Sequence, residues 1–262
     1  MSTPSSTPAL ELRGIRKSFG SVAALEDVDF AAYRGEVHAI VGDNGAGKST
    51  TIKIVTGIHK SDGGEILVDG ETMDAVHGAS DALEKGIAVV YQDLALVECL
   101  DIATNMALGN LPKRFGVVLD RRRMDREAAK VLSDLNVRVG DVKTPVGLLS
   151  GGQRQVVAIA RAVRMDKPIM LLDEPTAALG VQETAHVGRM IDELRGAGKA
   201  VICISHDLDF VFTHADRITV LRLGTSVGTR RTSETTRDEI IGMITGAIPR
   251  DTPARRTLEE AS

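Results

Sequence analysis

Close to the start of the chain, an apolar run passes into the segment His38-Ala-Ile-Val-Gly-Asp-Asn-Gly-Ala-Gly-Lys-Ser-Thr50. Its core, Gly42-x-x-x-x-Gly47-Lys48-Ser49, matches the phosphate-binding P-loop pattern in full, with a strand before it and a helix after it as that pattern requires. Across Gly42, Asp43, Asn44, Gly45, Ala46 and Gly47 the glycines let backbone N–H groups turn inward around phosphate oxygens. The helix that follows, over Lys48–Thr56 and including Thr50, adds its positive end to the same place. Lys48 supplies a point charge toward the β- and γ-phosphates of a nucleoside triphosphate, and the Ser49 hydroxyl suits a Mg²⁺ ligand. A second chemical group follows in Ile169-Met-Leu-Leu-Asp173-Glu174, an apolar strand ending in two carboxylates. Adjacent carboxylates beside a bound polyphosphate are costly unless a metal and a proton task occupy them. Asp173 is the metal-side candidate, and Glu174 can orient an attacking water or take its proton.

Strands and helices must alternate to place these groups. Leu10–Arg13, Val22–Phe30, Val37–Val41 and Glu65–Val68 read as strands, with turns at Gly63-Gly64 and Asp69-Gly70. A helix near Ser80–Lys85 leads to a short strand, Ile87–Val90, ending at Tyr91-Gln92. From about Asp93 to Met165 the pattern becomes helical, over Leu100–Gly109, Arg121–Leu135 and Gln153–Arg164. The run Arg121-Arg122-Arg123 opens the middle helix, as a solvated face or as a contact with another subunit. Alternation resumes with strands Ile169–Asp173 and Lys199–Ser205 on either side of the helix Thr184–Arg195. Short strands at Ile218–Leu223 and Ser226–Thr229 precede a last helix, Arg237–Thr245. A parallel-sheet α/β core interrupted by a helical insertion is expected. The expected domain runs over 10–246, with the helical subdomain at about 93–165, a disordered tail at 1–9 and a mobile one at 247–262.

Composition is that of a soluble globular chain: 262 residues, 43% hydrophobic and 26% charged. A net charge of −4 with both signs interspersed gives no reason to expect nucleic acid as a partner. Cys99 and Cys203 have no paired spacing, so both thiols are expected as buried packing in a reducing compartment. No apolar run approaches the ~18 to 20 residues of a membrane-spanning helix, and the start carries no secretory pattern. Service to a membrane process would be from its cytoplasmic surface.

The string Leu149-Ser150-Gly151-Gly152-Gln153-Arg-Gln155 combines a Ser N-cap, two glycines permitting close backbone approach and a helix start. With it, the chain resembles the ATP-binding cassette (ABC) ATPases over nearly its whole length. The resemblance implies a P-loop NTPase ABC cassette, an α/β fold with a RecA-like parallel-sheet core, N-terminal antiparallel β strands and an α-helical insertion subdomain. It implies that Gln92 is the Q-loop glutamine, a ligand near Mg²⁺ together with Ser49 and Asp173, and that His206 is the switch histidine contacting the γ-phosphate. Glu174, His206 and Lys48 would be the catalytic set. Phe19 stands where the family stacks an aromatic ring on adenine; a core position is the other reading. His38, His59, His77, His186 and His214 match no motif and read as structural or surface residues.

The resemblance also implies two cassettes head to tail, with Ser150, Gly151, Gly152 and Gln153 of one closing over ATP held by the other. One departure stands out: after Glu174-Pro-Thr-Ala-Ala-Leu179 the family usually carries a D-loop aspartate, and here the residue is Gly180. Val90–Val97, Ala103–Gly109, Leu149–Ala162 and Ala178–Glu183 look like the cassettes of bacterial carbohydrate importers of the ribose, xylose and fructose type, in which that glycine is familiar. Many ribose-type members fuse two cassettes; this chain has one and resembles the single-cassette fructose-type proteins. A homodimer is therefore implied, on the cytoplasmic face of the inner membrane, with two membrane permease subunits and, indirectly, an extracytoplasmic sugar-binding protein. The surface at about Asp93–Gly109 would receive the permease. Two other readings stay open. One is a non-transport ABC protein of DNA repair or translation, against which the short helical insertion counts. The other is a weakly hydrolysing nucleotide-dependent module, prompted by Gly180.

Overall fold

Strand β1 (Leu10–Phe19) alternates buried Leu10 and Leu12 with half-buried Glu11 and Arg13, then breaks step so that Ile15 is buried next. The break is a bulge at Gly14, whose φ of 57° a side chain would resist and whose N–H donates to Asp29 Oδ1 at 2.8 Å. It carries the strand six residues past the expected Arg13. In the computed structural model, residues 7–73, 78–115, 117–137 and 139–251 are described; His77 lies outside them. β1 pairs antiparallel with β2 (Val22–Ala32). After β3 (Val37–Val41) and α1 (Lys48–Val55) come β4 (Gly63–Val68), β5 (Glu71–Thr72) and α2 (Ala79–Glu84). β6 (Ile87–Val90) then leads into α3 (Ile102–Ala107), the hairpin β7 (Lys113–Arg114) and β8 (Val118–Leu119), α4 (Arg121–Asp134) and α5 (Gly151–Arg164). The chain returns through β9 (Ile169–Asp173), α6 (Val181–Gly196), β10 (Ala200–Ile204), α7 (Leu208–His214), β11 (Arg217–Arg222), β12 (Thr225–Arg231) and α8 (Arg237–Thr245).

Ten strands form one sheet in the order β5-β4-β1-β2-β12-β11-β3-β10-β9-β6. Its β11-β3-β10-β9-β6 half is parallel, and β3, β9 and β10 are buried at every residue, as strands covered on both faces must be. The two-residue period of a strand divides them between two cores. Val37, Ala39, Val41, Met170, Leu172 and Val201 face one core, which is shared with α3, α5 and α6. Ile40, Ile169, Leu171, Ile202 and Ile204 face the other, shared with α1 and β1.

The insertion packs α3, α4 and α5 against the first core through Met106, Leu132 and Val157. The loop before α3 wraps around buried Asn105. Its Nδ2 donates to the carbonyls of Val97, Leu100 and Asp101 at 3.0–3.1 Å, and its Oδ1 accepts from Val97 N–H at 2.7 Å. Four expectations are corrected here. The insertion is not wholly helical: β7 (Lys113–Arg114) and β8 (Val118–Leu119) pair as a hairpin, because Pro112 and the Phe115 turn at φ 54° interrupt any helix. Cys99 is exposed, since it sits on that loop outside the two cores, whereas Cys203 is buried and its thiol is pushed up by desolvation. Ala9 belongs to the sheet and not to a tail, being buried and bonded through N–H to Ala32 O at 2.8 Å. Beyond α8, Asp251 donates its N–H to Val227 O at 2.8 Å and pairs with Arg230 at 2.6 Å, so 247–251 are docked.

His38, on the β3 face opposite Val37, is buried against the Phe30 ring with centroids 4.4 Å apart, and its Nε2 meets Thr219 Oγ1 at 2.7 Å. Burial first, then the Arg217 charge, lowers its pKa from 6.5 to about 3. A base whose folded pKa is lowered takes up its proton more readily when unfolded, so stability falls with pH from the unfolded value down to the folded one. His38→Gln should therefore flatten the acid limb of a Tm-against-pH curve between pH 6.5 and about 3. The wild type should lose about 1.4 kcal/mol per pH unit more than the variant there.

Candidate active site

Backbone register collects the site. In the parallel ladder Ile40, Ile204 and Asp173 lie side by side, and Leu172 faces Val90. Past that row the strands leave the sheet together. Ser205 N–H still reaches Ile40 O at 3.3 Å, and Glu174 N–H reaches Ile204 O at 3.0 Å. The residues just beyond, namely Gly42, Gln92, Glu174 and His206, therefore meet at one sheet edge, the usual ligand side of a parallel α/β sheet. They wall a cleft of 820 Å³ together with Asp43, Asn44, Gly45, Ala46, Gly47, Lys48, Ser49 and Thr50.

The loop is held close to its neighbours. A Cβ on Gly42, at φ 153°, would overlap the Leu221 carbonyl, and one on Gly47, at φ 102°, would overlap the Leu25 side chain. Gly224, in the β11–β12 turn, donates its N–H to Ala46 O at 3.1 Å. Gly47 offers α1 no side-chain cap, so the first N–H groups of that helix are left to face the cleft.

Lys48 is 6% exposed, and its Nζ donates to Gly42 O at 2.7 Å and Asp43 O at 2.9 Å. Burial lowers its pKa, opposed by the charges of Glu174, Asp43 and Asp173. Asp173 is equally buried, and desolvation with the neighbouring Glu174 charge raises its pKa against Lys53 and Lys48. Its Oδ1 is enclosed without a hydrogen-bond partner, an arrangement that fits a cation ligand. Glu174 leaves β9 in the left-handed region at φ 49°, which turns its carboxylate toward the cleft. There its Oε2 accepts from Gln92 Nε2 at 3.4 Å, and its Oε1 lies 3.6 Å from His206 Nδ1. Among the described residues no three His, Cys, Asp or Glu side chains cluster as a metal site. A Mg²⁺ held by Ser49, Gln92 and Asp173 would thus need phosphate oxygens to complete its shell.

Two expected groups stand apart from the cleft. Phe19 is 44% exposed at the end of β1, its ring edge-on to His59 with centroids 5.0 Å apart, and the wall nearest in sequence is Val22, Ala23 and Ala24. No motif pointed to those three; exposed Val22, opening β2 beside a turn, was the available signal. Ser150, Gly152 and Gln153 line a separate concavity of 470 Å³ with Glu183, His186 and Arg189. Ser150 and Gln153 form a reciprocal capping box on α5: Gln153 N–H donates to Ser150 Oγ at 3.2 Å, and Ser150 N–H to Gln153 Oε1 at 3.0 Å.

Gly180 has ordinary extended backbone, and its one close neighbour is a mobile side-chain end. Gly180 is the N-cap of α6, and Glu183, three residues on, folds back so that a Cβ at Gly180 would sit 2.7 Å from its Oε2. The same side chain fills the space over Gly152, where a Cβ would come within 3.0 Å of Glu183 Cβ. Glu183 thus links the two glycine positions, a role visible in sequence only as an acid three residues after a helix start.

Residues 25–177 match the family model described as ABC transporter. The ribose import ATP-binding protein RbsA 1 of Rubrobacter xylanophilus is 44% identical over 251 residues, covering 95% of this chain and 50% of that protein. A putative ribose/galactose/methyl galactoside import ATP-binding protein of Burkholderia lata is 42% identical over 238 residues, covering 90% and 45%. The chain therefore spans about half the length of the curated relatives it matches. Among solved structures, a dimeric bacterial ABC transporter cassette superposes with a TM-score of 0.75 at 25% identity, covering 85% of this chain and 98% of that one. The fold, the P-loop at the sheet edge and the matched residues agree: this chain belongs to the ABC transporter family.

Proposed function

We propose that this chain binds and hydrolyses ATP as the energising subunit of a bacterial importer for a monosaccharide of the ribose, xylose or fructose type. The observation that carries the reading is the convergence of Lys48, Gln92, Glu174 and His206 on one cleft floored by the P-loop, with Asp173 buried behind them. The family match and the sugar-import names of relatives whose length this chain half spans support the transport part.

The triphosphate would lie across the N-terminus of α1, its charge met by loop N–H groups and by Lys48, whose low exposure keeps water from screening it. Mg²⁺, held by Ser49, Gln92 and Asp173, would neutralise charge on the β- and γ-oxygens. Glu174 would accept a proton from an attacking water; its Oε2 accepts from Gln92 Nε2 at 3.4 Å, and His206 Nδ1 lies 3.6 Å from its Oε1. The adenine would rest against Val22–Ala24 and reach Phe19 only if that ring leaves His59.

Because Ser150, Gly152 and Gln153 sit in their own concavity, closing the site calls for a second cassette. In the proposed head-to-tail homodimer each chain's α5 terminus caps the other's γ-phosphate. Attachment at the cytoplasmic face of the membrane belongs to the same proposal; no helix among the described residues is long and apolar enough to cross a membrane. The loop around Asn105 would meet one of two permease subunits, fed from outside by a sugar-binding protein.

Glu174→Gln should lower ATP turnover about a hundredfold or more while ATP binding persists and an ATP-dependent dimer accumulates in size-exclusion chromatography. Turnover at the wild-type rate would remove Glu174 from its role. Lys48→Ala should weaken ATP affinity roughly ten- to a hundredfold in a calorimetric titration. Unchanged affinity would contradict the assigned phosphate contact.

A further inference from the structure

The β7–β8 hairpin presents apolar side chains that no described residue covers. Phe115 is 86% exposed and Val117 85%, with Val118 beside them. Phe115, Val117 and Val118 together form an exposed apolar patch at the hairpin tip. The hairpin is also basic. Between Lys113 and Arg123 the chain carries Lys113, Arg114, Arg121, Arg122 and Arg123 against a single acid, Asp120, in a protein whose net charge is −4. Arg121 is paired with Asp101 and Arg123 with Glu127, each at 2.6 Å, which leaves Lys113, Arg114 and Arg122 as its available cations. The Arg114 guanidinium lies over the Phe115 ring at 5.2 Å, which holds the charge at the apolar tip.

Beside the hairpin a groove of 480 Å³ is lined by Lys113, Arg123, Lys130 and Arg164, with Glu127 as its one acid. That acid is already taken: Arg123 bonds it at 2.6 Å and Arg164 at 2.7 Å, which holds its carboxyl below the usual range. Lys130 has only an exposed pair with Asp134, which costs little to break. The groove therefore offers surplus positive charge next to an uncovered apolar tip. None of these residues lines the nucleotide cleft.

We propose that the β7–β8 hairpin docks on an anionic phospholipid bilayer, with Phe115 and Val117 entering the interface and the groove beside them receiving headgroup phosphates. The apolar tip gains from leaving water, and the cations gain from the negative surface potential of the cytoplasmic leaflet. A permease loop fits less well, because cytoplasmic loops of membrane proteins carry an excess of Lys and Arg and would repel this surface. The contact goes beyond the ATPase reading and does not need nucleotide.

The test is flotation of the purified full chain, without nucleotide, with vesicles of equimolar phosphatidylglycerol and phosphatidylcholine or of phosphatidylcholine alone. The wild type should float with the anionic vesicles, release as salt rises and ignore the neutral ones. Lys113→Glu with Lys130→Glu should cut the partition coefficient about tenfold or more, and Phe115→Ser with Val117→Ser should cut it several-fold. ATP turnover should be unchanged in both variants, which shows that the fold is intact. Equal flotation with both vesicle types, or wild-type flotation by both variants, would overturn the proposal. Flotation that appears only when a permease is present in the vesicles would also overturn it, and would make the hairpin a protein-docking element.

Discussion

The site depends on the parallel pairing of β3, β10, β9 and β6. Each ladder partner is fixed by backbone hydrogen bonds, so the ends of four segments distant in sequence fall on one line, with Ile40, Ile204 and Asp173 abreast. A slip of one residue would turn every side chain to the other face and exchange the two cores. The burial of β3, β9 and β10 at every position makes that slip prohibitive, since Ile40, Ile202 and Leu171 fill one core while Val41, Val201 and Leu172 fill the other. Packing thus holds the chemistry in place without any functional residue having to do so.

Charge in the cleft is balanced in a way that favours a bound polyphosphate and cation. Lys48 is buried and committed to two carbonyls, while Asp173 is buried with one oxygen unpartnered and Glu174 beside it. Burial works against both charged states, and each is supported by the other's field. In the proposed reading, a ligand bringing negative phosphate to Lys48 and a cation to Asp173 would relieve both at once. Glu174 completes the arrangement through its backbone, whose left-handed turn aims a carboxylate that an extended strand end would point elsewhere.

The α5 terminus and the α6 terminus form a separate unit. The Ser150–Gln153 capping box fixes one helix start, Glu183 folds over the other, and Gly152 and Gly180 leave room for it. At Gly180 the contact is with the carboxylate end of Glu183 alone, which can swing aside, whereas at Gly152 it is with the Glu183 stem.

Sequence alone determined the motifs that depend on local spacing: Gly42 to Thr50, Asp173-Glu174, Ser150 to Gln153, Gln92 and His206, and the alternation of strand and helix that separates them. Those are short-range patterns, because loop, cap and strand end are each written within a few residues. Only the tertiary structure decided which of them share a cleft. It joined Gln92, Glu174 and His206 through ladder register, kept Ser150 apart, left Phe19 against His59, and brought in Val22–Ala24, which no motif marks. It also decided the bulge at Gly14, the hairpin inside the helical insertion, the exposure of Cys99 and the docking of residues 247–251. The hairpin has a local cause in Pro112 and the Phe115 turn; the other outcomes rest on contacts between residues far apart in the chain, whose energies no local pattern records.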